Sequence, residues 1–204
     1  MNYLLFKTAL EQFPVFSIRD IRKQFDDFDN RRLVEWQEKG YIIKLRRGYY
    51  SFEEVDKREA FRYYSANKLY SPSYISMESA LSYYNLIPEG VFTTASLTTR
   101  NTASFNTPVG SFKYRNVKSR LFFGYRLLNI HDHIIKMTDP EKSILDYLYL
   151  NKIDTIEMLM GIRLNQSQLQ DLMDYNKLHQ YGEVFHSKKL QQRIQLLKQM
   201  IQRI

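Results

Sequence analysis

The stretch Lys44-Leu45-Arg46-Arg47-Gly48-Tyr49-Tyr50-Ser51-Phe52 sets two adjacent guanidinium groups beside a glycine, between two short apolar-alternating runs. The chemistry open to that arrangement is anion binding, above all of phosphate, which paired arginines can meet with charge-assisted hydrogen bonds. Catalytic chemistry is poorly supplied elsewhere. The chain has no cysteine, which excludes disulfides, thiolate zinc sites and cysteine nucleophiles. His131-Asp132-His133 would place two imidazoles on one face of a strand, but no third metal ligand can be named. His179 and His186 have no nucleophile and carboxylate to work with, and Asp26, Asp27 and Asp29 fall where helix capping is the simpler role. No phosphate-binding Gly-x4-Gly-Lys-Ser/Thr loop, no Gly-x-Gly-x-x-Gly and no Gly-x-Ser-x-Gly elbow occurs. Gly110-Ser111 is followed by Lys113 and Arg115, where a nucleotidyltransferase would need metal-binding carboxylates. The expectation is a protein that binds and does not catalyse, with no cofactor and no metal.

Charge points the same way. The 204 residues carry a net charge of +8, and an excess of that size favours polyanions. It is also clustered. From Val91 to Arg126 there are six cations and no Asp or Glu, and from Ser187 to Ile204 five cations and none. Residues 1–52 hold ten Lys or Arg against seven Asp or Glu. No apolar run approaches the roughly 18 residues of a membrane span, and the N-terminus lacks the features of a secretory signal. The expected location is cytoplasmic, with no membrane partner.

The elements that must position these cations follow from periodicity and caps. Residues 2–13 place Leu4, Leu5, Ala9 and Phe13 at helical spacing, and Pro14 ends that helix. Ser17 is an N-cap for a second helix, with Asp20 in capping-box position and Ile18, Ile21 and Phe25 on one face. After the turn at 26–29, Asp29 or Asn30 caps a third helix, RRLVEWQEK, closed by Gly40, with Leu33, Val34 and Trp36 leaning inward. Then come the strands YIIKL and YYSF around a glycine turn. This order reads as a winged helix-turn-helix over residues 1–52. A linking helix over 53–70 leads to an α+β domain over 71–204. That domain carries a strand-like YIS, a short helix capped by Ser76, a mostly antiparallel sheet over 90–137 and C-terminal helices. Thr138 or Asp139 starts the first of these, SQLQDLMDYNKLHQYG reads as another, and a terminal helix spaces Leu190, Ile194, Leu197, Ile201 and Ile204 for docking on its own domain.

In such a module the third helix enters the major groove and the hairpin tip meets backbone or minor groove. The base-reading candidates are Asn30, Arg31, Arg32 and Glu35, because arginine pairs bidentately with guanine and a carboxylate accepts from cytosine. Lys44, Arg46 and Arg47 are the hairpin candidates for phosphate. Arg100, Lys113, Arg115, Lys118 and Arg120 form a second basic surface on the sheet. Phe105, Phe112, Tyr114, Phe122, Phe123 and Tyr125 could instead stack RNA bases beside those cations, although alternating aromatics are the pattern of a sheet core. A bare protein-interaction module is the remaining alternative.

The series YISMESALSYYNLIPEGVFTTASLTTRNTASFNTPVGSFKYRNV, then LFFGY, then TDPEKSILDYLYL, resembles the AbiEi-type antitoxins, and the RRGYY hairpin fits the same pattern. The resemblance covers nearly all of the chain. These are transcriptional regulators of type IV toxin–antitoxin and abortive-infection (phage defence) systems. It implies an N-terminal winged helix bound to promoter inverted repeats in double-stranded DNA, and a C-terminal antitoxin domain. It also implies a nucleotidyltransferase-like toxin counteracted without a stable complex. Two winged helices on an inverted repeat can come from a dimer or from two monomers side by side.

Overall fold

The computed structural model describes residues 2–54, 58–131 and 133–202. They form a mixed α+β structure with two sheets.

The first sheet belongs to residues 3–52. The elements are α1 (Tyr3–Leu10), β1 (Phe16–Ser17), α2 (Ile18–Gln24), α3 (Arg31–Glu38), β2 (Ile42–Arg46) and β3 (Tyr49–Phe52), with strand order β1-β3-β2, both pairings antiparallel. Ser17 and Asp20 form the expected reciprocal cap on α2. At α3 it is the Asp29 carboxylate that accepts from the Arg31 N–H (2.9 Å), while Asn30 makes no cap bond.

Two inward faces differ from expectation. In α1 the buried residues are Phe6 and Leu10, four apart, and Leu4 and Leu5 are exposed. The larger ring sets the helix phase: Phe6 packs at 4.5–6.2 Å against Phe16, Phe28, Trp36 and Phe52. In α3, Leu33 and Trp36 are buried but Val34 is 56% exposed. Leu33 and Trp36 are three apart and share a face, which leaves Val34 turned about 100° off Leu33.

The hairpin turns at Arg47-Gly48, where Gly48 takes φ 80°. Its register slips between Lys44 and Arg46, so that Lys44 opposes Tyr50 and Arg46 opposes Tyr49. Such a bulge re-aims side chains. Leu45 is buried in the larger hydrophobic core of the rest of the chain, away from the smaller core around Phe6.

The second sheet is built from β4 (Ser73–Ile75), β5 (Thr93–Thr98), β6 (Ala103–Thr107), β7 (Gly110–Asn116), β8 (Tyr125–Ile130) and β9 (His133–Thr138). Its order is β6-β7-β5-β4-β9-β8. It is mixed: β4–β5, β6–β7 and β8–β9 pair antiparallel, while β4–β9 and β5–β7 are parallel. Each parallel pair brings together strands separated by other elements, which hairpin signals cannot reveal.

The helix α4 (Glu59–Leu69) falls in the stretch expected to link the two parts. It is a core helix, with Ala60, Phe61, Tyr63, Tyr64, Ala66 and Leu69 buried. Residues 55–57 of the expected linking helix lie outside the described residues. α5 (Met77–Tyr83) begins after Ser76, but the Ser76 hydroxyl does not cap it. It donates instead to Asp146 Oδ2 (2.8 Å) in α6 (Pro140–Leu150). Asp139 caps α6, accepting from the Lys142 N–H (3.0 Å), with Pro140 at the first turn.

α7 (Ile156–Met160) follows. The single helix expected over 167–182 is two, α8 (Gln166–Leu172) and α9 (Tyr175–Val184). The break is held by Asp174, whose N–H donates to Glu141 Oε1 (2.9 Å) and whose carboxylate caps α9. α10 (Lys188–Gln202) buries Leu190, Ile194, Leu197 and Met200 against the core. Arg203 and Ile204 lie outside the described residues.

Candidate nucleic-acid interface

The predicted binding residues divide according to what already holds them. Within α3, both carboxylate oxygens of Glu35 are occupied, by Arg32 Nη1 (2.8 Å) and Lys39 Nζ (2.7 Å). The hydrogen bonds from Lys39 and Arg32 hold the Glu35 carboxyl below the usual carboxylate range. Glu35 and Arg32 are thus engaged with each other. Asn30 and Arg31 are exposed, and the Arg31 guanidinium has no partner among the described residues. Val34 stands on the same solvent face, one turn after Arg31.

On the hairpin, Lys44 and Arg47 are exposed without an ion-pair partner among the described residues. Arg46 is not free. Its Nη1 donates to the Leu69 carbonyl (2.8 Å), at the end of α4, and its guanidinium lies over the ring of Phe105 (4.0 Å), flanked by Tyr49 and Tyr70. Arg46 ties the hairpin to strand β6.

Sequence reasoning missed three further exposed cations, on α2. Arg19, Arg22 and Lys23 of α2 are exposed and unpaired among the described residues. At about 100° per residue they fall within one arc, away from Asp20, which is turned to the Ser17 cap. The Ile18 N–H donates to the Gly48 carbonyl (3.1 Å), so the start of α2 sits against the turn that carries Arg47. The available signal was the i, i+3, i+4 spacing of the cations on the helix preceding α3.

The second predicted surface is mostly committed to structure. Arg115 donates to the Leu150 carbonyl (2.6 Å) and to Asn151 Oδ1 (3.2 Å) at the end of α6. Arg120 donates to the Val184 and Phe185 carbonyls (3.3 and 3.1 Å) at the end of α9. Arg100 reaches the Ser71 carbonyl (3.2 Å) and lies over the Tyr70 ring (4.2 Å). Arg193 of α10, buried, donates to the Leu148 carbonyl (2.7 Å) and to Asp154 Oδ1 (2.7 Å). Helix C-termini carry unsatisfied carbonyls and the negative end of the dipole, so they draw cations. Lys113 and Lys118 remain exposed and unpaired among the described residues.

The aromatics weighed as stacking platforms are placed otherwise. Phe112 and Tyr114 are buried, and Phe105 is covered by Arg46. Phe122 and Tyr125 pack on Tyr74, and Phe123 on Tyr181 and Phe185.

One ion pair lies wholly in the interior. Lys142 and Asp146, one turn apart on α6, form a fully buried ion pair. The Lys142 ammonium also contacts Tyr74 Oη (3.1 Å) and stands among the rings of Tyr74, Phe123 and Phe185. Burial pushes the Lys142 ammonium down and the Asp146 carboxyl up, each opposed by its partner. With no solvent-facing atom at either charge, the network fastens α6 to β4.

His131 is exposed at φ 46° in the turn between β8 and β9, so it does not pair with His133 along a strand as expected. His133 packs against Tyr64 (5.1 Å), and Asp132 lies outside the described residues. Among the described residues no three His, Asp or Glu side chains converge as a metal site, and no helix is long and apolar enough to cross a membrane. No protein-family model matches the chain, and no curated protein matches it either.

Proposed function

We propose that the chain is a DNA-binding transcriptional regulator, an autorepressor whose residues 1–52 form a winged helix-turn-helix. The single observation that carries the reading is the distribution of unpaired cations. Arg19, Arg22 and Lys23 on α2, Arg31 at the start of α3, and Lys44 and Arg47 on the hairpin lack carboxylate partners among the described residues. In a winged helix these are the three elements that face the duplex: α2 crosses the backbone, α3 enters the major groove and the hairpin is the wing. Arg31 is the guanine reader in this reading, and the others neutralise phosphate. Arg46 acts as the joint between the wing and the second domain. The resemblance to AbiEi-type antitoxins extends the proposal: the C-terminal domain is an antitoxin of a type IV system, set against a nucleotidyltransferase-like toxin without lasting contact.

The test is a titration against duplex DNA from immediately upstream of the chain's own gene, beside a scrambled duplex of equal length, at two salt concentrations. A preference for the upstream duplex that survives the higher salt supports an operator. Equal, salt-labile binding to both would sink the regulator reading. With six to ten phosphates neutralised, affinity should fall about 10³–10⁵-fold between 50 and 200 mM salt.

A further inference from the structure

Resting on that reading, we infer that Val34 is a specificity determinant: its γ-methyls meet the C5-methyl of a thymine next to the guanine read by Arg31. Val34 is 56% exposed on α3, whose other solvent-facing positions are charged. A β-branched residue is a poor choice for an exposed helix interior, where straight-chain polar residues lose less rotamer freedom. Its exposed neighbours along α3, Arg31 and Glu38, are charged, so this helix face offers one apolar side chain. A lone apolar group flanked by charge fits a target that is itself one methyl in a polar groove. In the major groove that target is thymine, whose methyl is the apolar mark among the four bases.

Spacing supports the pairing with Arg31. The two residues are one helical turn apart on the same face. They are displaced by about 4.5 Å along the axis, against about 3.4 Å between successive bases on a strand. Neighbouring base pairs are therefore within reach of both. Glu35, which could have accepted from cytosine, has both oxygens held by Arg32 and Lys39. That leaves Asn30, Arg31 and Val34 as the forward readers.

Removing the thymine methyl is a single-atom test. Each thymidine of the upstream duplex is replaced in turn by deoxyuridine, and binding is measured for the wild-type chain and for Val34→Ala. Wild type should lose about four-fold at one position in each half-site, the worth of one buried methyl. Val34→Ala, which lacks the γ-methyls, should show a smaller loss at that position and match wild type at all others. Identical deoxyuridine profiles for the two proteins would overturn the inference, as would a flat wild-type profile on a duplex still preferred over its scrambled counterpart. Absence of any preference for the upstream duplex would instead remove the regulator reading, and this inference with it.

Discussion

Arg46 lies 4.0 Å over the ring of Phe105 and binds the last carbonyl of α4, so one side chain joins the N-terminal hairpin to the edge strand of the second sheet. The contact combines a cation over an aromatic face with a charge-assisted hydrogen bond. Those are worth about 0.5–2 and 1.5–3 kcal/mol respectively, before the ordering of the side chain is subtracted. Arg46→Ala should therefore lower stability by about 2 kcal/mol in urea unfolding. Phe105→Ala should be partly non-additive with it, with a coupling of about 1 kcal/mol. Strict additivity would mean that the ring and the guanidinium act separately.

The cations fall into two groups whose substitutions should have opposite signatures. Arg19→Ala and Arg47→Ala remove unpaired exposed charges, so each should leave the melting temperature unchanged and reduce the salt slope of DNA binding by about 1. Arg115→Ala and Arg120→Ala remove donors to the carbonyls that end α6 and α9. Each should cost about 1 kcal/mol of stability and leave the salt slope unchanged. Arg115 and Arg120 variants with a reduced slope and full stability would restore the sheet as a binding surface.

Much of the N-terminal unit was legible because its signals are local. Ser17 and Asp20 lie three apart and cap as expected, and Gly48 marks the hairpin turn. The phase of α1 was not, since Leu4, Leu5, Phe6 and Leu10 offer two overlapping apolar arcs, and only the tertiary fit of Phe6 chooses between them. The same holds for Val34, adjacent to Leu33 in sequence but turned from it by the helix. The acid-free run from 91 to 126 reads as a surface because a sequence records charge but not which helix ends arrive beside it. Arg115 and Arg120 meet α6 and α9 from 35 and 65 residues away. Arg46, one residue from the freely exposed Arg47, was indistinguishable from it before the bulge and β6 were known.

The buried pair on α6 gives a prediction with a definite sign in pH. Removing one member of such a pair strands the other, at a cost of roughly 3–5 kcal/mol, whereas replacing both by apolar residues is often near neutral. Lys142→Met takes away the cation that opposes the upward push of burial on Asp146. The Asp146 carboxyl then keeps its proton in the folded state at pH values where the unfolded chain has released it. A raised folded pKa means more bound protons in the native state, so stability falls as pH rises above about 4, the ordinary aspartate value. The slope is at most about 1.4 kcal/mol per pH unit. Denaturation of Lys142→Met between pH 4 and 8 should show that decline, and Lys142→Met/Asp146→Leu should lack it. A decline of equal slope in both variants would assign it to other groups.

Gly124 and Gly40 share a positive φ, 70° and 69°, but differ in surroundings. A Cβ added at Gly40 would meet nothing within 4 Å, whereas at Gly124 it would stand 2.9 Å from Lys142 Cγ, 3.0 Å from Lys142 Cβ and 3.1 Å from Tyr181 Cε2. Gly40→Ala thus isolates the cost of a left-handed L-residue, about 1–2 kcal/mol. Gly124→Ala adds overpacking against a side chain that cannot yield, because the Lys142 ammonium is held by Asp146 and enclosed by three rings. That second part is about 1–3 kcal/mol. The difference between the two variants in chemical denaturation measures how rigidly Lys142 is held. Equal losses would show that the ion pair shifts to admit a methyl group. In that case Lys142→Met should also cost less than the roughly 3–5 kcal/mol expected of a fixed pair.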